Sequence, residues 1–567
     1  MKGIGKQFGI VLSAFFMASS ITSQTSLAQD ELGDPVQISA PQVVFGDVAS
    51  FQVSPDNSRV VYIADQRIDG VNELFSVPIA GGSAVRLNDN LPTDGNVDGF
   101  LISPDGSRVV YFADQNTDEV DELFSVSITG GLPIRLNPNL VSGGDVLGNV
   151  FSTGFEISPD GSRVIYIADQ NINDRFELFS VPIGGGNTER LNDDLAEGLV
   201  DMGVVEFRIS PDSSRVIYTA DQNDQNSAGD ELELFSVPIS GGTTTRLNAD
   251  LPTGGNVVDS SPLISADSSR VIYIADQNTV GVPELFSVPI AGGEPVPLNS
   301  NLVSGGEVTP FGHQISPDGS RVIYIADQNT VGVRELFSVP IAGGDVVRLN
   351  SNLVSGGEVS PFGVQISPDG SRVIYRADQN INNRFELFSV PITGGVLPER
   401  LNENLVSSGQ VIGFGISPDA SRVIYLADQN INNVRELFSV PIAGGTAIRL
   451  NDTLVSGGTV LNFRISPDSS RVIYLAEQNI DNISELFSVP ITGGSVERVN
   501  DQLPFNAEII NNFGFSPDGR FIVYVGEQDV LGERELFSVE IPEPEPEDND
   551  FCFPIVASNG NVAVVCL

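Results

Sequence analysis

Short apolar runs alternate with polar segments along almost the whole chain. In one unit, β-rich runs at residues 100–102, 109–113, 122–126 and 134–136 are separated by polar or glycine-containing segments. The run at 109–113 is apolar at consecutive positions, which is typical of a strand that is buried on both faces. Helical periodicity is absent outside the N-terminal segment. Each unit therefore predicts four short β-strands.

Two kinds of turn separate the predicted strands. Ser-Pro-Asp or a close variant suits a type I turn, because proline fixes φ at the second position and aspartate tolerates the third. A Gly-Gly pair supplies the positive φ values that a tight hairpin needs. The first kind of turn begins at spacings of 49 to 55 residues, at Ser54, Ser103, Ser158, Ser210, Ser265, Ser316, Ser367, Ser417, Ser466 and Ser516.

Ten such units predict an all-β fold, a β-propeller of about ten four-stranded blades. Leu87, on the fourth strand of the first unit, lies sixteen residues before Ser103, and Ile38 lies sixteen residues before Ser54. The last unit has no fourth strand of its own. We therefore expect the N-terminal strand around Ile38 to complete the last blade, which removes both sheet edges. Two stacked or fused smaller rings are the alternative.

The repeat resembles a known one. The segments at 158–166 (Ser-Pro-Asp-Gly-Ser-Arg-Val-Ile-Tyr), 177–181 (Glu-Leu-Phe-Ser-Val) and 190–192 (Arg-Leu-Asn) are similar to the TolB-type, WD-repeat-like propeller repeat. The resemblance covers about residues 36–541 and implies the propeller fold. We expect neither the N-terminal domain of TolB nor the hydrolase domain of propeller peptidases, so neither activity is carried over.

The N-terminal segment is typical of a secretory signal peptide at residues 1–28. Two lysines precede an apolar run at 8–18, and Ser26-Leu27-Ala28 forms a small-x-small cleavage pattern. The apolar run is too short to span a membrane. We expect an exported protein of the periplasm or the extracellular space, with no membrane insertion and with the propeller at 29–541.

The C-terminal residues differ in character from the repeats. Residues 542–550 are rich in proline and glutamate and predict an extended spacer. Residues 551–567 contain two apolar runs around an Asn-Gly pair, which favours a hairpin. A loop centred on Asn559 places Cys552 opposite Cys566, and an oxidising compartment favours a disulfide between them. The hairpin is interpreted as a docking or sorting tag, or as a stapled end that resists fraying.

Composition excludes several functions. The chain has 29 Lys and Arg against 74 Asp and Glu, a net charge of -45, so nucleic acid and anionic membranes would repel it. One histidine and two cysteines exclude multi-histidine metal sites, four-cysteine zinc sites and iron–sulfur clusters. No Gly-x-Ser-x-Gly sequence offers a nucleophile elbow.

Twenty carboxylates recur at two positions of the repeat, on either side of the loop between the second and third strands. We expect each to cap its own hairpin through backbone N–H groups or an arginine. Calcium binding is the alternative. Seventeen arginines also recur and are expected to pair with these acids. The acids are Asp65, Asp114, Asp169, Asp221, Asp276, Asp327, Asp378, Asp428, Glu477 and Glu527 at the first position, and Glu73, Glu122, Glu177, Glu233, Glu284, Glu335, Glu386, Glu436, Glu485 and Glu535 at the second.

The residue two before each turn serine varies between units. It lies on the predicted innermost strand, so it can line the central channel, and a channel is a common ligand site. A solvated channel wall without a ligand is the alternative. The polar residues at this position, our candidates for ligand binding, are Gln52, Glu156, Arg208, Gln314, Gln365 and Arg464.

A single histidine and an insertion in the fourth unit are two further candidate sites. His313 occupies a position that is phenylalanine in seven of the ten units, so we interpret it as packed between blades rather than catalytic. The fourth unit carries an insertion in which Asp224, Asn226 and Asp230 have offsets similar to a calcium loop. We expect no cofactor, with calcium at this insertion as the alternative.

These features predict an exported, non-enzymatic propeller that acts as a protein-interaction or ligand-binding scaffold. The expected partner is a protein or a glycan, and the expected state is a monomer. One alternative is a carboxylate-dependent enzyme, a glycosidase or lyase, which requires acids of individual blades to converge on the channel. Another is a calcium-stabilised structural protein of the envelope.

Overall fold

The computed structural model describes residues 32–43, 46–148, 154–195, 203–222, 231–259 and 261–542, together with the backbone of 552–556 and 562–566. Residues 32–541 form one compact unit. Within the described residues, forty strands form ten four-stranded antiparallel sheets. The fold is an all-β propeller of ten blades, as the repeat predicts.

The second and third strands form the centre of each blade. Their β-branched and aromatic residues suit a pleated, buried surface. In every blade a tyrosine of the second strand stacks on a phenylalanine of the third, with ring centroids 5.2 to 5.5 Å apart. The second strands are Arg59–Ala64, Arg108–Ala113, Arg163–Ala168, Arg215–Ala220, Arg270–Ala275, Arg321–Ala326, Arg372–Ala377, Arg422–Ala427, Arg471–Ala476 and Phe521–Gly526. The third strands are Glu73–Pro78, Glu122–Ser127, Glu177–Pro182, Glu233–Pro238, Glu284–Pro289, Glu335–Pro340, Glu386–Pro391, Glu436–Pro441, Glu485–Pro490 and Glu535–Glu540.

The first strands lie innermost, where first strands of neighbouring blades meet, and the fourth strands are short and lie outermost. The first strands of blades 1 to 10 are Val48–Val53, Val97–Ile102, Phe155–Ile157, Val204–Ile209, Leu263–Ile264, Gln314–Ile315, Val359–Ile366, Val411–Ile416, Val460–Ile465 and Ile509–Phe515. The fourth strands are Val85–Arg86, Ile134–Arg135, Glu189–Arg190, Thr245–Arg246, Val296–Pro297, Val347–Arg348, Glu399–Arg400, Ile448–Arg449, Glu497–Arg498 and, for blade 10, Val36–Gln37.

The hydrophobic core lies between blades rather than in one centre. Each core cluster combines residues of two consecutive blades, for example Val61 and Leu74 of blade 1 with Tyr111 and Phe124 of blade 2. Such clusters join every consecutive pair from blades 1 and 2 to blades 9 and 10. The described blades therefore form one stack of like interfaces and not two separate rings.

A further cluster joins the last blade to the first. Ile38 and Val48 pack with Val523 and Leu536. The strand Val36–Gln37 pairs antiparallel with the third strand of blade 10, with Val36 opposite Ser538 and Gln37 opposite Phe537. The N-terminal strand thus occupies the outer edge of blade 10, where the sequence places it.

The C-terminal strands form a separate two-stranded sheet. Cys552–Val556 pairs antiparallel with Val562–Cys566, and the backbone register places Cys552 opposite Cys566. The side chains of these strands lie outside the described residues, so the disulfide stays a prediction. The signal peptide at 1–28 and most of the spacer at 542–550 also lie outside them. No helix among the described residues has the length and apolar character needed to cross a membrane.

Candidate functional site

The first set of recurring acids caps the loop between the second and third strands. In blade 6, Asp327 Oδ1 accepts the backbone N–H of Glu307 at 2.5 Å, and Oδ2 accepts that of Gly332 at 2.7 Å. Each bond satisfies a loop N–H that no strand partner reaches. Capping is thereby confirmed for Asp65, Asp114, Asp169, Asp276, Asp327, Asp378 and Asp428.

The second set of acids is buried, except for the half-buried Glu284, and paired within its own blade. Glu335 accepts from the Arg348 guanidinium at 2.6 Å and from Asn329 Nδ2 at 2.7 Å. Eight fourth-strand arginines form the corresponding ion pair, which confirms this half of the expected arginine pairing. In blades 5 and 10 the position of the arginine is taken by Pro297 and Gln37, respectively.

The other half of the expected arginine pairing is wrong. The nine arginines that follow the turns donate from Nε to a buried serine hydroxyl of the third strand, as Arg321 does to Ser338 at 2.8 Å. These arginines begin the second strand, opposite the last residue of the third strand. The serine lies two residues from that position, whereas the glutamate lies at the other end of the third strand. Arg471 alone of the nine also pairs with a carboxylate, that of Glu497, among the ion pairs described.

The geometry offers no preformed cation site in the described part of the chain. No group of three or more His, Cys, Asp or Glu side chains there could hold a metal ion. Asp224, Asn226 and Asp230, the calcium-loop candidates, lie within residues 223–230 and so outside the described residues.

Three of the six channel candidates bind the neighbouring blade. Gln314 Nε2 donates to the Val364 carbonyl at 2.7 Å, and Gln314 Oε1 accepts the Ile366 N–H at 3.1 Å. Gln52 Nε2 donates to the Phe100 carbonyl at 3.3 Å, and Glu156 accepts the N–H of Ile209. Because an innermost strand has no strand partner on its channel side, these side chains satisfy backbone groups that would otherwise face the channel.

Glu156 and Arg208 belong to a charged cluster of blades 3 and 4. Arg208 is ion-paired with Glu206 and lies 4.0 Å from Glu156, and it also donates to the Phe207 carbonyl at 3.1 Å. Burial raises the pKa of the Glu156 carboxyl, and the positive charge of Arg208 opposes that shift. The cluster therefore holds a carboxyl that ionises less readily than an exposed glutamate.

A groove runs beside this cluster across the first strands of blades 4, 5 and 6. Its volume is about 430 Å³. Arg208 and Gln314 give it polar groups at two sides. The remaining lining residues are apolar: Ile209, Pro211, Leu263, Ile264 and Ile315. Arg208 and Gln314, which the sequence predicts as separate candidates, thus line one concave surface.

The remaining candidates have exposed side chains. Gln365 is exposed on the first strand of blade 7. Arg464 of blade 9 donates to the Phe463 carbonyl at 2.9 Å and lies 5.4 Å from the centroid of the Phe513 ring, a cation–π contact between blades.

His313 is packed between blades, which confirms the interpretation from its repeat position. It is 8% exposed, and its Nε2 lies 2.8 Å from the carbonyl oxygen of Ser261 in blade 5. Burial lowers the pKa of the imidazole, so His313 is neutral near pH 7.

The sequence-based candidates omit two exposed aromatic residues of the same inner segments, one in the loop before Gln314–Ile315 and one on Val359–Ile366. Phe311 is 51% exposed and Phe362 is 77% exposed, and their rings stack with centroids 5.2 Å apart. The sequence does indicate an insertion here, through the distance between the valine that starts the inner segment and the turn serine. Val308 and Val359 lie eight residues before their turn serines, whereas Val48 lies six residues before its own. The extra residues fall in the Pro-Phe-Gly segments that carry the two rings.

No family model and no curated protein matches the chain. Solved structures match at low identity. A prolyl endopeptidase structure is 14% identical over 65% of this chain, with a TM-score of 0.37, and this chain spans 53% of that protein's length. A putative TolB from Agrobacterium tumefaciens is 19% identical over 50% of this chain and 90% of its own, with a TM-score of 0.26.

Dipeptidyl peptidase 4 of Porphyromonas gingivalis is 11% identical over 75% of this chain and 64% of its own, with a TM-score of 0.45. At these identities and TM-scores the comparisons assign neither a family nor an activity to the chain. The resemblance to the TolB-type repeat therefore stays a prediction, while the propeller itself is what the structure shows.

Proposed function

We propose that this protein is an exported, non-enzymatic propeller that acts as a binding scaffold for a protein or glycan partner. The observation that carries the proposal is the groove of about 430 Å³ across blades 4 to 6. The repeated polar groups are engaged in capping loops and pairing strands, so they are poor candidates for recognition. The residues that differ between blades face the channel, and the groove combines them with apolar surface.

The architecture supports a scaffold because ten like interfaces hold the channel wall in place. A preorganised wall loses little conformational entropy when a ligand binds. The acidic net charge disfavours anionic partners, and Arg208 is already paired with Glu206, so the groove does not offer a free cation.

Filling the groove tests the proposal. The mature chain, residues 29–567, is immobilised and exposed to the exported fraction of the source cells, and captured components are quantified. Leu263→Trp fills the groove, and Leu101→Trp makes the same change at the same repeat position of blade 2. We expect at least tenfold less capture with Leu263→Trp and no change with Leu101→Trp. Capture of nothing by wild type would overturn the proposal, and equal capture by wild type and both variants would exclude the groove as the binding surface.

Export is tested separately by the N-terminus of the protein recovered outside the cytoplasm. Cleavage after Ala28 gives a mature chain that starts at Gln29. Recovery of the intact N-terminus in the cytoplasmic fraction alone would contradict export.

One observation favours the enzyme as a second candidate. Glu156 and Glu206, acids of two different blades, both approach Arg208 beside the groove. A carboxyl with a raised pKa can act as a general acid, and an ionised neighbour as a base or nucleophile. Incubation with neutral oligosaccharides tests this: cleavage that disappears in Glu156→Gln would establish the enzyme, and uncleaved substrate would argue for the scaffold.

A further inference from the structure

Acidic residues are distributed unevenly along the channel wall. The segments that form the innermost strands carry acids in blades 2 to 5, namely Asp98, Glu156, Glu206 and Asp259. The corresponding segments of blades 6 to 10, residues 308–315, 359–366, 411–416, 460–465 and 509–515, contain no Asp or Glu. In a chain with 74 acids, the inner-strand segments of five blades therefore contain no carboxylate, although Glu307, Glu358 and Glu508 directly precede three of them.

The inner segments of blades 6 and 7 carry exposed aromatic side chains. Phe311 and Phe362 stack on each other with their planes tilted by 38°, and both rings remain exposed to solvent. Ile412 and Leu461 lie five residues before the turn serine in blades 8 and 9, where Ile412 is half-buried and Leu461 is exposed. Exposed apolar side chains that form a contiguous patch mark an interaction surface.

The two phenylalanines are not needed to build the blade. Blades 1, 2, 4, 8 and 9 form the same inner strand with two fewer residues between the valine that starts it and the turn serine. In blade 7 the extra residues form a bulge, because the pairing shifts between Val359, opposite Ala377, and Val364, opposite Tyr375. Bulges are found next to binding sites, where they re-aim a side chain.

Arg376 holds the bulge of blade 7 in place. Its guanidinium donates to the carbonyl oxygens of Val411 and Ile412 in blade 8 and lies 3.4 Å from Ser360 Oγ within the bulge. A Cβ on Gly363 would lie 2.6 Å from Arg376 Nε, so the bulge backbone passes directly over this side chain. The other nine blades have an uncharged residue at this position. We interpret Arg376 as a positioning residue for Phe362.

The polar groups of these five inner segments are mostly amides. Gln314 and Gln365 each follow their phenylalanine by three residues, and Asn462 of blade 9 donates to Asn511 of blade 10 at 2.8 Å. An amide both donates and accepts hydrogen bonds, which matches a hydroxyl group. Flat aromatic faces match the C–H faces of a pyranose ring, and the lack of carboxylates fits an uncharged ligand.

We propose that Phe311 and Phe362 form a stacking platform for a neutral glycan, with Gln365 as a hydrogen-bonding partner of its hydroxyl groups. The inference deepens the proposed scaffold function by naming a ligand class, and it rests on that function. A protein segment is the competing occupant, since an extended apolar peptide could also cover the rings.

The test uses the full mature chain and defined probes. Cellohexaose, laminarihexaose and maltohexaose serve as neutral glycans, hexagalacturonate as an anionic glycan, and an uncharged apolar hexapeptide as the competitor. Binding is measured by calorimetry, and saturation-transfer NMR reports which C–H protons of the sugar lie against the protein. We expect at least one neutral hexasaccharide to bind, with saturation of its ring C–H protons, and hexagalacturonate to bind at least tenfold more weakly.

Variants locate the site. Phe311→Ala with Phe362→Ala is expected to weaken binding at least tenfold, while Phe505→Ala, which removes an exposed ring from the loop before Ile509–Phe515, leaves it unchanged. Phe362→Leu keeps the bulge apolar and removes only the flat face, so it tests stacking without relying on the double variant. Gln365→Ala is expected to weaken binding less than loss of the rings.

Three results would overturn the inference: no binding of any neutral hexasaccharide, binding that survives loss of both rings, or ring-dependent binding of the peptide alone. If no neutral hexasaccharide binds, or only the peptide binds through the rings, while capture still depends on Leu263, the glycan platform is refuted and the proposed scaffold function is retained. Glycan binding that depends on the rings, with no Leu263-dependent capture, would instead move the binding site from the groove to the platform.

Discussion

At the scale of single residues, the fourth position of each Ser-Pro-Asp turn needs a left-handed backbone, and the blades meet this need in different ways. Glycine fills the position in five blades, as Gly106, Gly161, Gly319, Gly370 and Gly519. Asn57, Ser213, Ser268 and Ser469 fill it in four others, and each side-chain oxygen accepts the backbone N–H of a turn aspartate in the preceding blade. Ala420 has a φ of 57°, but it has neither the conformational freedom of glycine nor a side-chain oxygen that could accept a hydrogen bond.

Substitution of Ala420 is therefore expected to stabilise the protein. Ala420→Gly removes left-handed strain of about 1 kcal/mol. Ala420→Ser keeps the strain but adds a hydrogen bond to the N–H of Asp369, which contributes about 1 kcal/mol. The urea midpoint of unfolding should rise in both variants. Gly370→Ala makes the reverse change in the adjacent blade and should lower the midpoint; a lower midpoint for Ala420→Ser would contradict this account.

The turn shows what sequence can and cannot reveal at this scale. Ser-Pro-Asp predicts the turn because its chemistry is local. The bond from Asn57 to Asp518 joins residues 461 positions apart, so no local pattern indicates it. The same holds for Gln314: its place on an inner strand is predictable from the repeat, but its use in binding the neighbouring blade depends on the register between blades.

At the scale of the strand pair, the third-strand glutamate meets an arginine in eight blades and glutamine in blade 10. Glu535 Oε1 accepts from Gln37 Nε2 at 2.8 Å, and no positive charge on Val36–Gln37 offsets its burial. Burial, with smaller contributions from the charges of Asp529 and Glu533, raises the pKa of Glu535 to about 7. The strand that completes the last blade is therefore held through a carboxyl that prefers its protonated form.

A pH dependence of stability follows from this carboxyl. Since its folded-state pKa lies above the ordinary glutamate value of 4.5, the stability that Glu535 contributes is full below pH 4.5 and is lost as pH rises towards 7. Unfolding by urea at pH 5 and pH 8 should show a smaller loss of stability on going to pH 8 in Glu535→Gln than in wild type. Gln37→Arg, which restores the pairing of the other blades, should raise stability mainly at pH 8. Identical pH dependence in all three proteins would refute the assignment.

Element order was largely predictable, whereas element detail was not. Ile38 lies at the same offset from its turn serine as Leu87, and this spacing alone indicates which strand the N-terminal segment forms. The bulge at Phe362 is not predictable in this way. A two-residue insertion indicates where the strand departs from the repeat, but it does not indicate that the rings of Phe311 and Phe362 in adjacent blades are in contact. Arg376 was visible as a departure from the repeat, yet its carbonyl partners lie in the next blade.

At the scale of the whole molecule, the acids are distributed so that most repeated carboxylates already have partners. Seven described aspartates of the first set accept backbone N–H groups, as Asp327 does. The glutamates of the second set accept from arginine or asparagine, as Glu335 does, or from glutamine in the case of Glu535. We therefore expect the thermal midpoint to be unchanged by an excess of EGTA and unchanged by millimolar calcium. A ligand that binds the folded state shifts the midpoint, so a downward shift with the chelator would favour the calcium-stabilised alternative.

The N-terminal strand lies where the last blade meets the first, and removing it should weaken that interface. Without residues 29–40 the third strand of blade 10, Glu535–Glu540, becomes an unpaired edge, and Ile38 no longer packs with Val523 and Leu536. An exposed edge strand pairs readily with another chain. We expect a lower urea midpoint and concentration-dependent self-association in sedimentation. Deletion of 552–567, which belongs to the other compact unit, is the matched control and should leave the midpoint of the ring unchanged. A midpoint that resists loss of 29–40 would show that the interface between blades 1 and 10 holds without the strand, and that the ring does not depend on it for closure.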